Sequence, residues 1–166
     1  MNTFDLEKVG SKFCDTILYP YMGWDVVERI RDKNRQETMG DVIISYNENH
    51  YCIDEKTASY CHADMVIELI QDLETFNIGW FFKLKKCDGI IYIYFNKERE
   101  IEIVYSVKFQ QLKQYIFKIT KKEKVHTGIT NKNFGCTLNI YYPWQTLIDT
   151  NIARIIWRKK YEVVQT

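Results

Sequence analysis

Hydrophobic and polar positions alternate along the chain with two different periods, and these periods predict its elements. Residues 3–18 carry apolar side chains at helical spacing, with Asp5 and Glu7 in the first turn, where negative charge favours a helix. Residues 63–76 repeat the helical period, and Pro143 precedes a third helical pattern over residues 144–156. The sequence therefore predicts helices at the beginning, in the middle and at the end of the chain.

Short apolar runs rich in β-branched and aromatic residues predict strands between these helices. Two of the runs, 41–46 and 50–58, are separated by a few polar residues, and this spacing predicts a β-hairpin. A run at 24–30 predicts an edge strand, and the polar stretch 31–40 predicts a loop. Later strands are predicted at 78–84, 88–96, 100–107 and 136–142, with a short helix at 108–119 and a basic loop at 119–133.

This order of elements predicts an α/β fold in which helices flank a mixed central β-sheet. The chain has 166 residues, and no repeat, low-complexity stretch or linker divides it. We therefore expect residues 1–166 to form a single domain. Hydrophobic residues make up 46% of the sequence and charged residues 27%, which is typical of a globular protein and excludes a disordered one.

The cysteine pattern and the start of the chain indicate where the protein works. The five cysteines form no C-x-x-C pair and match no zinc framework, so we expect reduced thiols. Residues 1–13 lack the pattern of a signal peptide, and no apolar run is long enough to cross a bilayer. The sequence predicts a cytoplasmic protein without a membrane partner.

Two acids and a lysine on the predicted hairpin are the strongest candidates for chemistry. Asp41 follows Gly40 at the start of the first strand, and the second strand contains Asp54, Glu55 and Lys56. Side chains at positions i and i+2 of a strand share a face, so Asp54 and Lys56 are neighbours while Glu55 points away. The hairpin turn is expected to place Asp41 beside them. Two carboxylates and an ammonium suit a magnesium site that acts on phosphate.

This arrangement resembles the PD-(D/E)XK nuclease superfamily, whose motif is an acid at the start of one strand and acid-any-Lys on the next. The resemblance covers roughly residues 3–110 and is closest to phage and mobile-element nucleases, although Gly40 stands in place of the motif's proline. It implies a restriction-endonuclease-like fold and metal-dependent hydrolysis of phosphodiester bonds in DNA. By the resemblance, Asp41, Asp54 and the Glu55 carbonyl hold Mg²⁺ or Mn²⁺, Lys56 assists the attacking water, and Gln36 accompanies the site.

Several alternatives stay open at this point. Many members of the family carry a further acid, for which Glu7 and Glu28 are the candidates here. A catalytically inactive binding module of a phage or mobile element, directed at nucleic acid or a host protein, would show the same fold. The triplet Asp54-Glu55-Lys56 would also occur in a protein without a catalytic site, as ordinary solvated charges at the end of a strand. A resolvase of branched DNA and an RNA-directed nuclease are further possibilities.

Basic residues supply candidate contacts to DNA, although the formal net charge is only +1. They cluster within 83–86, 118–124 and 154–160, and the basic loop is the strongest candidate for a DNA-contacting element. Cutting both strands with one site per chain favours a homodimer. His50, His62 and His126 are scattered, and His62 is expected to cap a helix or lie on the surface.

Overall fold

Ten strands form two sheets in the structure, a computed structural model that describes residues 3–60, 62–121, 126–132 and 135–159. The strands are β1 Asp25–Arg29, β2 Val42–Tyr46, β3 Asn49–Ala58, β4 Asp64–Asp72, β5 Asn77–Ile78, β6 Gly89–Phe95, β7 Ile101–Lys108, β8 Thr127–Lys132, β9 Gly135–Pro143 and β10 Ala153–Arg158. The larger sheet has the order β1-β2-β3-β6-β7-β10 and the smaller sheet the order β5-β4-β9-β8. Only the β3–β6 pairing among these is parallel, so the larger sheet is mixed and the smaller one antiparallel.

Helices flank both sheets. They are α1 Thr3–Phe13, α2 Tyr19–Met22, α3 Lys33–Met39, α4 Trp80–Lys83, α5 Phe109–Thr120 and α6 Trp144–Asp149. A five-residue π-helical turn, Cys14–Leu18, joins α1 to α2, so the first helix continues past its predicted end and past Pro20. It stops at Gly23, whose φ of 68° lies in the left-handed region that glycine adopts readily. Among the described residues, no helix is long and apolar enough to cross a membrane.

The centre of the larger sheet is buried on both faces. Ile91 and Ile93 of β6 pack with α1 and its continuation, whereas Tyr92 and Tyr94 face a second cluster built with α5, α6 and β4. A strand covered on both sides reads as a continuous apolar run, which is how residues 89–95 appear in the sequence. The expected fold class, a mixed central sheet flanked by helices, is confirmed.

The predicted hairpin, the edge strand before it and the strands predicted at 88–96, 100–107 and 136–142 are also confirmed. β2 and β3 pair in antiparallel register around Asn47 and Glu48, and β1 is an edge strand beside β2. β6 and β7 lie in the predicted runs. The short helix predicted at 108–119 is confirmed as α5.

Five predicted elements are wrong. Residues 64–72 form strand β4 instead of a helix, because Met65 and Ile67 are buried through pairing with β9. Residues 33–39 form α3 instead of a loop, and the side chain of Asp32 caps it by accepting from the N–H of Arg35 at 2.8 Å.

The last helix ends at Asp149, and the chain returns as β10 along β7. The run 78–84 is mostly α4, and residues 127–132 of the basic loop form β8.

Candidate active site

A tight backbone turn places Asp41 beside β3. Gly40 has a φ of 98°, and a Cβ atom there would lie 2.6 Å from the carbonyl oxygen of Ile53. The next N–H, that of Asp41, donates to this same oxygen at 2.9 Å. Only glycine allows the chain to approach β3 this closely, since any side chain would strike the neighbouring backbone. The glycine in place of the motif's proline thus has a structural reason.

Asp54 and Lys56 share one face of β3, as the spacing predicts. Lys56 Nζ lies 2.6 Å from Asp54 Oδ2, with the two side chains 27% and 5% exposed. The ring of Trp80 lies 5.6 Å from the same ammonium. Asp54 Oδ2 is fully buried, and the Lys56 ammonium is its partner. A buried carboxylate that lies next to a second buried carboxylate suits an additional cation.

Asp41, Asp54 and Lys56 form the candidate trio. Burial is the largest single influence on the pKa of each of them, and the charges of the neighbouring members also act on it. Burial raises the pKa of Asp41 to about 6, and the neighbouring charge of Asp54 adds to the effect. Burial also raises the pKa of Asp54, against the opposing influence of Lys56. Burial alone would lower the pKa of Lys56, but the carboxylates of Asp54 and Asp41 outweigh it and raise that pKa. Lys56 is therefore an ammonium at neutral pH, and the expected raised carboxyl pKa is confirmed.

The candidate trio opens into a cavity of about 710 Å³ between the two sheets. Gln36 borders the same cavity from α3, and its amide nitrogen donates to the carbonyl oxygen of Ile30 at 2.7 Å. The four side chains that the sequence predicted to be catalytic therefore border the same cavity: Asp41, Asp54, Lys56 and Gln36. Gln36 reaches it from a helix, although the sequence predicted a loop there.

The structure separates the two candidates for a third acid. Glu7 of α1 borders the cavity with the candidate trio. Glu28 of β1 lies on the surface, where both of its carboxylate oxygens accept from the Arg35 guanidinium at 2.6 and 2.9 Å. Of these two acids, Glu7 borders the cavity and Glu28 is committed to a surface ion pair.

Glu55 points to the opposite face of β3, as predicted, and its carboxylate is held by three donors. Tyr19 Oη donates at 2.5 Å, Ser11 Oγ at 2.7 Å and Arg29 Nη1 at 2.8 Å. Arg29 also pairs with Asp15 at 2.6 Å. This arrangement ties α1 and its continuation to the strand directly behind Asp54. The Glu55 side chain has a structural task, and only its backbone carbonyl is available for the proposed metal ligation.

Sequence reasoning missed the part of the cavity formed by the smaller sheet. Glu68 and Gln71 of β4 border it, and they were missed because β4 was read as a helix. His62 also borders it and is exposed, in agreement with the expected surface position. Strands β8 and β9 add a row of hydroxyl and amide groups, the neutral wall: Thr130, Thr137, Asn139 and Tyr141. Glu68 lies opposite Asn139 in the register of β4 with β9. The strict alternation of residues 137–142 indicated the wall's common face but not what that face borders.

The predicted DNA-binding clusters are only partly described. Lys83 of the first cluster borders the cavity and lies 3.5 Å from Glu37. Lys118 and Lys121 of the second cluster are exposed, while Lys122 and Lys124 lie outside the described residues, as does Lys160 of the third. Within the described parts of the chain, Lys83 is the one member of these clusters that reaches the candidate trio's cavity.

The donor set fits a hard cation with few protein ligands. No group of three His, Cys, Asp or Glu side chains that could hold a metal occurs among the described residues. Magnesium needs only one or two carboxylates when waters and phosphate oxygens complete its shell, so Asp41, Asp54 and a carbonyl are sufficient. Searches against family profiles, curated proteins and solved structures found no match to this chain.

Proposed function

We propose that this protein is a metal-dependent nuclease that hydrolyses phosphodiester bonds in DNA. The observation that carries the proposal is the Asp54 carboxylate, which is buried and pairs with the Lys56 ammonium at 2.6 Å. It lies in a cavity together with Asp41 and Lys56. Burying two acids side by side destabilises a fold, and such pairs occur mainly where function requires them.

The charge of the cavity supports a role for divalent cations. Five carboxylates and three lysines border it among the described residues. A phosphodiester is an anion and would be repelled by this excess of negative charge in a partly buried site. Cations held by the acids would reverse that repulsion, so substrate binding and metal binding are expected to be coupled.

The candidate ligands are Asp41, Asp54 and the backbone carbonyl of Glu55. When bound there, Mg²⁺, or Mn²⁺ in its place, supplies polarisation of the phosphoryl oxygen and a more acidic water. Lys56 carries a positive charge, since its pKa is raised. Its role is therefore to orient the attacking water and to offset charge on the phosphate, because an ammonium cannot accept the water's proton. The Trp80 ring beside Lys56 Nζ limits the positions that the ammonium can adopt.

The test is cleavage of plasmid and oligonucleotide DNA with Mg²⁺ or Mn²⁺, compared with EDTA. Asp54→Ala should abolish cleavage because it removes a ligand. The variant should still fold, because Asp41 remains as a negative charge near the Lys56 ammonium, and its melting temperature is measured alongside cleavage. Asp25→Asn is the matched control, since Asp25 is an exposed acid on the edge strand β1. Its cleavage rate should equal that of the parent.

Two results would overturn the proposal. One is an Asp54→Ala variant that cuts DNA as fast as the parent in Mg²⁺. The other is specific binding of nucleic acid or of a host protein without cleavage in either metal, which would identify the inactive binding module instead.

A further inference from the structure

We propose that this protein binds an acidic amphipathic helix of a partner protein in a groove beside its first helix. The groove, called the α1 groove below, has an apolar lining formed by Val9, Phe13, Ile17, Ile101 and Trp157. It lies on the α1 side of the larger sheet, whereas the candidate trio lies on the other side. The inference therefore does not depend on the proposed nuclease function.

The first helix carries more apolar surface than its own packing uses. Leu6, Cys14 and Leu18 face the core and are at most 9% exposed. Val9 and Ile17, in contrast, are 39% and 51% exposed. A surface helix normally has polar residues outside its core-facing stripe. Val9 and Ile17 are thus available for a contact outside the folded chain.

The π-helical turn keeps the exposed apolar residues in line. Val9, Phe13 and Ile17 follow one another at intervals of four residues, and all three border the α1 groove. Four residues exceed one turn of an α-helix, so a series at this interval drifts around the helix axis. The turn Cys14–Leu18 holds more residues than an α-helical turn and reduces the drift. The result is an apolar stripe about 12 Å long, or about two helical turns.

The sheet continues the apolar surface on the other side of the α1 groove. Ile101 of β7 and Trp157 of β10 border it, and the rings of Phe13 and Trp157 meet edge to face with their centroids 5.2 Å apart. The groove has a volume of about 440 Å³. An apolar recess beside a helix suits the apolar face of an amphipathic partner helix, which supplies side chains at positions i, i+3 or i+4, and i+7.

Basic residues border the α1 groove from two elements. Lys12 belongs to α1 and Arg99 to the turn between β6 and β7, and both are exposed. Neither side chain has an ion-pair partner within the described parts of the chain. Lys159 also borders the groove, but its ammonium is paired with the Glu100 carboxylate. Two positive charges are thus left for a ligand, and they complement acidic residues beside the apolar face of a partner helix.

The same features disfavour other occupants. A second copy of this chain would bring two basic rims together, and like charges across an interface oppose association. A flat membrane surface suits a projecting apolar face better than a recess. A nucleic-acid backbone would place charged phosphates against the apolar stripe, where they find no hydrogen-bond donor.

The experiment measures binding of a fluorescein-labelled peptide of about 18 residues, long enough to form a helix, with leucine on one face and glutamate on the other. The comparison peptide has lysine in place of every glutamate. Fluorescence anisotropy at low salt should give a dissociation constant about tenfold lower for the glutamate peptide. The difference should shrink as salt is added, because salt screens exposed charges.

Variants locate the contact in the α1 groove. Ile17→Ser should weaken binding of the glutamate peptide about tenfold, since a buried aliphatic contact is lost. Ile129→Ser is the matched control, because Ile129 of β8 is 63% exposed and lies outside the groove. Lys12→Gln combined with Arg99→Gln should remove most of the preference for glutamate over lysine. Val9→Ser replaces Ile17→Ser if that variant fails to fold.

Several outcomes would overturn the inference. The first is equal binding of the two peptides, or equal binding of the glutamate peptide by the parent and a folded Ile17→Ser variant. A dimer in sedimentation that Ile17→Ser dissociates would assign the groove to a second copy. Binding to phosphatidylserine vesicles that Ile17→Ser abolishes would assign it to a membrane. Peptide binding only by a variant that ends at Lys159 would assign it to residues 160–166, which lie outside the described residues.

Discussion

The carboxylate of Asp41 accepts a hydrogen bond from the backbone N–H of Glu55, with Asp41 Oδ2 and the nitrogen 2.8 Å apart. This bond joins the acid that precedes β2 to the strand that carries Asp54 and Lys56. It turns the Asp41 side chain towards β3, where it interacts with Asp54. The strand behind it is held in turn by the Glu55 carboxylate and its three donors.

Asp41→Asn should stabilise the metal-free protein. Asparagine can still accept the N–H of Glu55, and it removes a buried charge next to Asp54. We expect the free energy of unfolding in EDTA at pH 7.5 to rise by about 1 kcal/mol, or roughly 2–4 °C in melting temperature for a chain of this size. The stabilisation by Mg²⁺ should be smaller than in the parent. Thermal unfolding in EDTA and in Mg²⁺ measures both, and a lower melting temperature in EDTA would contradict the prediction.

Glu55→Gln should reduce stability and have little effect on cleavage by the folded protein. The change removes the charge that pairs with Arg29 while keeping a hydrogen-bond acceptor near Tyr19 and Ser11. We expect a loss of about 2 kcal/mol in urea unfolding. Asp15→Asn, at the exposed partner of the same arginine, is the control and should change stability by less than about 1 kcal/mol. A Glu55→Gln protein with parental stability but no cleavage would indicate that the side chain acts in the site.

Glu7→Gln should weaken metal-dependent cleavage, whereas Glu28→Gln should not. Glu7 borders the cavity, and we expect it to act as an outer ligand of the proposed metal, whose loss reduces metal affinity or activity about tenfold. Glu28 is the matched control because its carboxylate is bound to Arg35 on the surface. A titration of cleavage rate against Mg²⁺ concentration compares the two. Equal Mg²⁺ dependence in both variants would exclude Glu7 from the site.

Gly40→Ala should be far more damaging than Gly23→Ala. Both glycines have positive φ, so an alanine is strained at either position. A Cβ at Gly23 would meet no atom within 4 Å, and we expect a loss of about 1 kcal/mol there. A Cβ at Gly40 would lie 2.6 Å from the Ile53 oxygen, so β3 must shift away from Asp41. Melting temperature and cleavage should both fall in Gly40→Ala, and similar values for the two variants would contradict this account.

The sequence by itself determined the hairpin and the candidate trio. Residues two apart on a strand share a face, and a short polar turn fixes the pairing of its two strands, so Asp54, Lys56 and Asp41 are related by local geometry alone. The same reasoning oriented Glu55 away from them. The buried strand β6 was equally clear, because a strand covered on both faces must be apolar throughout.

The tertiary structure alone decided what surrounds the candidate trio. Residues 64–72 satisfy a helical period and a strand period about equally, and pairing with β9, far along the chain, selected the strand. That choice placed the neutral wall on the cavity. Sequence periodicity records which side of an element is apolar, but not which distant element covers it. The limits of the cavity therefore follow from long-range packing.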